Sequence, residues 1–208
     1  MATTNEIGDK TTRMRSWPWR AYLALGLLAL ACYRLVPLDM EVTYNLYYAA
    51  FGLSATMLIA LGIRLNRPPY PWPWYLLFVG MLLLFVGDQM YGFYEIFLHE
   101  EAPFPSWVDA AYLVGSAVNI ASVVLLVRAR NRRGERGALI DATIVATGVG
   151  VVSWVYLMEP RWADTTLTLM GRLVSISYPL VDVLILAVFA RLLSFSKTLG
   201  RSPGRIAG

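Results

Sequence analysis

Six long apolar runs dominate this sequence, and they leave it few ways to fold. A membrane helix needs roughly 20 mostly apolar residues to cross about 30 Å of hydrocarbon. Runs of that kind extend from Trp19 to Val36, Tyr44 to Ile63, Trp74 to about Leu98, Trp107 to Val127, Ala138 to Met158 and Leu167 to Leu193. The chain has 208 residues, 57% of them hydrophobic and only 15% charged, with a mean hydropathy of +0.53. A soluble domain carries about 25% charged residues, so the excess apolar surface calls for lipid. The predicted fold class is all-α, an integral membrane bundle of six transmembrane helices. Residues 1–16 form a polar N-terminal segment, 17–194 the membrane domain and 195–208 a short basic tail. The first run outlasts a signal-peptide core and lacks a small-residue cleavage site, so it reads as a retained helix.

The basic residues predict an orientation. Lys and Arg collect in cytoplasmic loops. Here they fall in the N-terminal segment (Lys10, Arg13, Arg15, Arg20), after the second run (Arg64, Arg67), after the fourth (Arg128, Arg130, Arg132, Arg133, Arg136) and at the C-terminal end (Arg191, Lys197, Arg201, Arg205). The intervening loops hold Arg34 and Arg161, and the third-to-fourth loop is acidic, with Glu100 and Glu101. Both termini are therefore expected in the cytoplasm and the protein in the cell membrane. The tryptophans, including Trp72, Trp74, Trp107 and Trp154, fall near the ends of the runs, where amphipathic rings favour the headgroup zone. A lipid-facing loop accounts for the Arg128–Arg136 cluster without nucleic acid.

Charges inside apolar runs are costly and usually face other helices. Asp88, Tyr91 and Glu95 are spaced i, i+3, i+7 and so share a helical face. Asp109 and Tyr112 open the fourth run, and Arg172 lies about one turn into the sixth. These six residues sit at similar depth near the outer side. They are expected to form either a ligand- or ion-binding polar cluster or a set of buried pairs that only fix packing. Arg172 is the expected counter-ion, because one guanidinium can bridge a carboxylate through two hydrogen bonds. Asp141 is expected to open the fifth helix, where an acid complements the helix dipole. Asp182 follows Pro179 by three, and that proline frees a backbone carbonyl one turn back. Kink and acid together suit a moving helix, and a merely bent one equally. Gly148, Gly150 and Ser153 predict close helix approach, and Asn119 and Ser122 predict hydrogen bonds between helices.

Several activities are disfavoured. Cys32 and His99 are the single cysteine and histidine, too few for a disulfide, a bis-histidine haem or a metal cluster within one chain. The two lysines, Lys10 and Lys197, lie outside the runs, so a retinal Schiff base has no site. Gly115-Ser116 lacks the last-helix histidine that a six-helix serine protease would need. No glycine-rich phosphate loop precedes a helix. No catalytic residue, metal site or cofactor is assigned.

From Gly87 onward a series of spaced motifs resembles a known family. They are Gly87-Asp88 with Tyr91, Tyr94 and Glu95; Pro103-Phe104-Pro105-Ser106 with Asp109 and Tyr112-Leu113; Asp141-Ala142 with Ile144-Val145-Ala146; Ser153-Trp154; and Ser177-Tyr178-Pro179-Leu180 with Asp182. The chain here is similar to the N-terminal membrane region of bacterial, especially actinobacterial, signalling proteins that carry GGDEF cyclase and EAL phosphodiesterase domains. The resemblance covers about two-thirds of the chain. It implies a membrane input module whose output domain lies in the cytoplasm. The sequence departs from that pattern by carrying no GGDEF or EAL motif and by ending after six runs, as a truncated gene, a fragment or a stand-alone input protein would. Signal input without catalysis is the leading expectation, and a small transporter or ion-translocating protein is the alternative. The lipid bilayer, a cytoplasmic output domain or protein and a second copy of the chain are the expected partners.

Overall fold

The computed structural model describes residues 21–33, 41–130 and 136–199. The Arg-rich stretch at 131–135 and both chain ends lie outside them, as do the ends of the first predicted span. Every regular element among the described residues is helical. Seven α-helices follow in order: α1 (Ala21–Tyr33), α2 (Glu41–Asn66), α3 (Trp72–Phe93), α4 (Trp107–Arg130), α5 (Arg136–Ser153), α6 (Glu159–Ala163) and α7 (Leu169–Leu199). Two π-helical turns, Tyr94–Leu98 and Trp154–Met158, extend α3 and join α5 to α6.

Among the described residues, five helical stretches are long and apolar enough to cross a membrane: Val42–Asn66, Trp72–Leu98, Trp107–Ala129, Ala142–Ala163 and Leu169–Arg191. They match five of the six predicted runs. The fifth continues past Met158 to Ala163, because a π turn and α6 carry the chain on. The remaining run, the first, contains α1, which is apolar but shorter. Apolar side chains such as Leu46, Phe97, Ile144, Tyr156 and Leu169 stand exposed along these helices, the surface that a bilayer rather than water would cover.

The chain divides into two compact units, Met1–Gly52 and Leu53–Gly208, with the boundary inside α2. In the first unit, Tyr33 stacks edge-on against Tyr44 with ring centroids 4.7 Å apart. In the second, α3 packs along α4, α5 along α7, and α4 also contacts α7.

The α3–α4 contact follows from small residues at heptad spacing. Pro73, Gly80 and Gly87 are buried on α3. Opposite them on α4 stand Ser122, Gly115 with Asn119, and Tyr112. The buried Ser122 hydroxyl donates to the Pro73 carbonyl at 2.7 Å. A methyl group on Gly80 would collide with the Asn119 side chain and come within 2.9 Å of the Gly115 carbonyl, so only glycine permits this approach. Ser122 thus makes the bond between helices that its sequence position predicts. Asn119 meets Gly80 closely instead, and its buried Oδ1 finds no hydrogen-bond donor.

The α5–α7 contact is looser. Gly150 faces Val183, where an added methyl would lie at an ordinary 3.8 Å, and Ser153 is buried. Gly148 faces open space, contrary to the expected close approach, because the helical period turns it away from α7.

Candidate functional site

The polar centre of the second unit is built where α4 begins. Ser106 and Asp109 form a reciprocal cap. The Ser106 backbone N–H donates to Asp109 Oδ2 at 2.8 Å, and the Val108 N–H donates to Ser106 Oγ at 3.2 Å. A serine followed three residues later by an acid is the known signature of such a cap. The cap fixes the Asp109 carboxylate and leaves its second oxygen pointing at α7. There the Tyr178 hydroxyl donates to Asp109 Oδ1 at 2.7 Å.

One turn further along α4, the Tyr112 hydroxyl donates to Asp88 Oδ1 on α3, also at 2.7 Å. Its ring lies against Gly87, where an added methyl would come within 3.1 Å of it. Asp109 is buried, and Asp88, Tyr112 and Tyr178 are half-buried. Two tyrosine–carboxylate bonds in series therefore tie α7 to α4 and α4 to α3. Each carboxylate thereby receives a hydrogen bond from a phenol on a facing helix.

Of the six residues expected to cluster, the structure brings together Asp88, Tyr112 and Asp109. Tyr91 and Glu95 are exposed. A π turn begins at Tyr94, and the His99 N–H closes onto the Tyr94 carbonyl. Tyr91 lies wholly within α3 and is exposed all the same, so sequence spacing from Asp88 does not bring either residue into the contact with α4. His99 ends the segment in the left-handed conformation, at φ 52°.

Arg172 corrects the predicted ion pair. Its Nε donates to the Leu167 carbonyl at 3.2 Å, and among the described residues it forms no ion pair with Asp88, Glu95 or Asp109. The reason lies in the helix start. Thr168 caps α7 by accepting from the Gly171 N–H at 3.1 Å, so Arg172 stands in the first turn and folds back over the preceding loop. In that loop, hydrogen bonds from the Thr166 hydroxyl and N–H hold the exposed Asp164 carboxyl below the usual carboxylate range, with Arg172 and Arg161 adding to the effect.

Tyr178 is the member of this polar cluster that depth and charge alone do not reveal. It adjoins Pro179 in the Ser177-Tyr178-Pro179 motif, and it takes the donor place that charge counting gives to Arg172. Asp182, one turn beyond Tyr178, is exposed and lines an open groove with Tyr178 and Pro179. Among the described residues it has no hydrogen-bond partner. Asp141 does not open its helix, since α5 starts at Arg136 and has no acid in its first turn. The dipole argument therefore does not apply to Asp141, whose side chain lies outside the described residues.

No group of three or more His, Cys, Asp or Glu side chains able to hold a metal ion occurs among the described residues. Compared with protein-family models, curated proteins and solved structures, the chain matches none. The architecture defines the class: a helical, multi-pass membrane protein.

Proposed function

We propose that this protein is a membrane-embedded input module for cytoplasmic signalling, without catalytic activity of its own. In this reading six helices span the cell membrane, both termini are cytoplasmic, and α7 leads to an output domain or partner protein. By the resemblance of its motifs, the pathway is of the cyclic-di-GMP type.

The observation that supports the reading is the pair of tyrosine–carboxylate bonds in series, Tyr178 to Asp109 and Tyr112 to Asp88. Signal input needs an element with two arrangements of similar free energy. A hydrogen bond between membrane helices averages about 0.6 kcal/mol and reaches about 1.7. Opening one is cheap, and a ligand that offsets it shifts the population by about 3- to 20-fold. The bonded Tyr178 immediately precedes Pro179, inside the helix that leads to the C-terminal end. Release of that phenol would free the part of α7 around Pro179 to re-pack.

The test is a fusion to a reporter output domain. Tyr178→Phe keeps the ring and removes the bond, while Tyr156→Phe alters an exposed phenol. Tyr178→Phe should shift the basal output by about 3- to 20-fold, and Tyr156→Phe should leave it unchanged. An output that ignores Tyr178→Phe in a stimulus-responsive fusion would sink the reading. Topology is checked separately. Reporters inserted at 128–136 and after 205 should report cytoplasm, and one near Glu100 should report the outside.

A further inference from the structure

A groove of about 420 Å³ runs along one face of α7. Phe104, Leu157 and Pro179 give it apolar walls, while Ser175, Tyr178 and Asp182 give it polar atoms. Asp182 lies well inside the Leu169–Arg191 span. At 1.5 Å per residue it is about 20 Å from the Leu169 end and about 14 Å from the Arg191 end. A carboxylate at that depth is costly unless something donates to it.

The surrounding helix has nothing to give it. The Tyr178 hydroxyl, one turn away, is committed to Asp109. The Ser177 hydroxyl donates to the Leu173 carbonyl of its own helix at 2.7 Å. Pro179 lines the groove and has no N–H to offer. Arg161 also lines the groove, from α6. Its charge acts on Asp164 in the α6–α7 connection, and among the described residues it forms no ion pair with Asp182.

We propose that this groove binds an apolar molecule carrying a single cationic amine, with Asp182 as its counter-ion. The apolar walls take the hydrocarbon body. The carboxylate accepts from the ammonium N–H groups, a charge-assisted arrangement stronger than a neutral hydrogen bond. Arg161 disfavours a second cation on the ligand. Within the signalling reading this molecule is the stimulus, bound one turn from the Tyr178 bond. The binding itself stands without that reading, so the test measures binding and not output.

Purified full-length chain in a maltoside detergent is melted with n-octylamine, octanol or octanoate. Octylamine should raise Tm in a concentration-dependent way, and the other two should not. Asp182→Asn should raise the half-effective octylamine concentration by about tenfold or more, the loss of one charged hydrogen bond. Asp164→Asn, outside the groove, should leave it unchanged. An equal effect of octanol, no effect of octylamine, or a response unaltered by Asp182→Asn would overturn the proposal.

Carbodiimide labelling tests it on the unaltered chain. Dicyclohexylcarbodiimide adds intact to a protonated carboxyl to give an acylurea, which mass spectrometry locates. Asp182 should be labelled, and octylamine should protect it. Labelling that octylamine does not reduce would mean that the amine binds elsewhere and would refute the site.

Discussion

The α3–α4 and α5–α7 contacts are both antiparallel pairs of apolar helices, yet they are assembled differently. Along α3–α4, glycine meets glycine backbone, a buried serine bonds a carbonyl on the facing helix, and a phenol bonds a carboxylate. Along α5–α7, Gly150 leaves ordinary contact space before Val183, Gly148 faces nothing, and α7 carries a proline and an unpartnered acid. Lipid offers no hydrophobic drive for helices to associate, so close packing and hydrogen bonds set their affinity. The first pair has both and serves as a fixed frame. The second has less of each, and it holds the groove and Pro179. Function that needs movement belongs on the less tightly fixed side.

The sharpest way to break this contrast is Gly80→Leu. Even a methyl group there would collide with Asn119 and approach the Gly115 carbonyl to 2.9 Å. The Asn119 side chain can turn aside, but the backbone carbonyl cannot. We expect a loss of more than about 3 kcal/mol, above the usual cost of overpacking because backbone is in the way. SDS-induced unfolding of the purified protein measures it. A loss below about 1 kcal/mol would show that the α3–α4 frame is not closely fitted.

A smaller effect is expected from Ser122→Ala. It removes the 2.7 Å bond to the Pro73 carbonyl without changing the packing volume much. The carbonyl keeps its place in the α3 helix, so the loss is that of one membrane hydrogen bond, about 0.6–1.7 kcal/mol. The same unfolding titration reads it. A neutral result would mean that helix fit alone holds the frame and that the serine adds nothing.

The two pairs also differ in how far they were legible in the sequence. Hydropathy places five spans to within a few residues, because the burial of apolar surface in lipid depends on composition and length alone. The frame is half-legible: Gly80, Gly115 and Ser122 are small residues at helical spacing, but their mutual contact needs the axial register of α3 against α4. The capping pair is written in the sequence as Ser106-Trp107-Val108-Asp109. The partner of Asp109 is not. Sequence gives the depth of Arg172 and Tyr178 but not their azimuth around α7. A long guanidinium near a helix start can reach its own loop, as Arg172 does with Leu167. The π turns at Tyr94 and Trp154 are likewise silent in composition.

The mildest prediction tests the looser side directly. Gly148 lies within α5, and a methyl group built on it meets nothing within 4 Å. In a helix interior, glycine costs roughly 0.5–1 kcal/mol relative to alanine, chiefly through the backbone freedom lost on folding. Gly148→Ala should therefore be neutral or stabilise the fold by up to about 1 kcal/mol. Gly115→Ala, on the tight side, supplies the contrast, because its methyl would lie 3.0 Å from the Gly80 carbonyl and 3.1 Å from Leu83 Cβ. The same chemical change should thus have opposite signs on the two helix pairs. If Gly148→Ala destabilises as much as Gly115→Ala, then something covers that face of α5 in the membrane, a second copy of the chain or a partner helix. Cross-linking of a cysteine placed at 148, with Cys32 replaced by Ser, would then tell which, since a second copy yields a disulfide-linked dimer and a different partner does not.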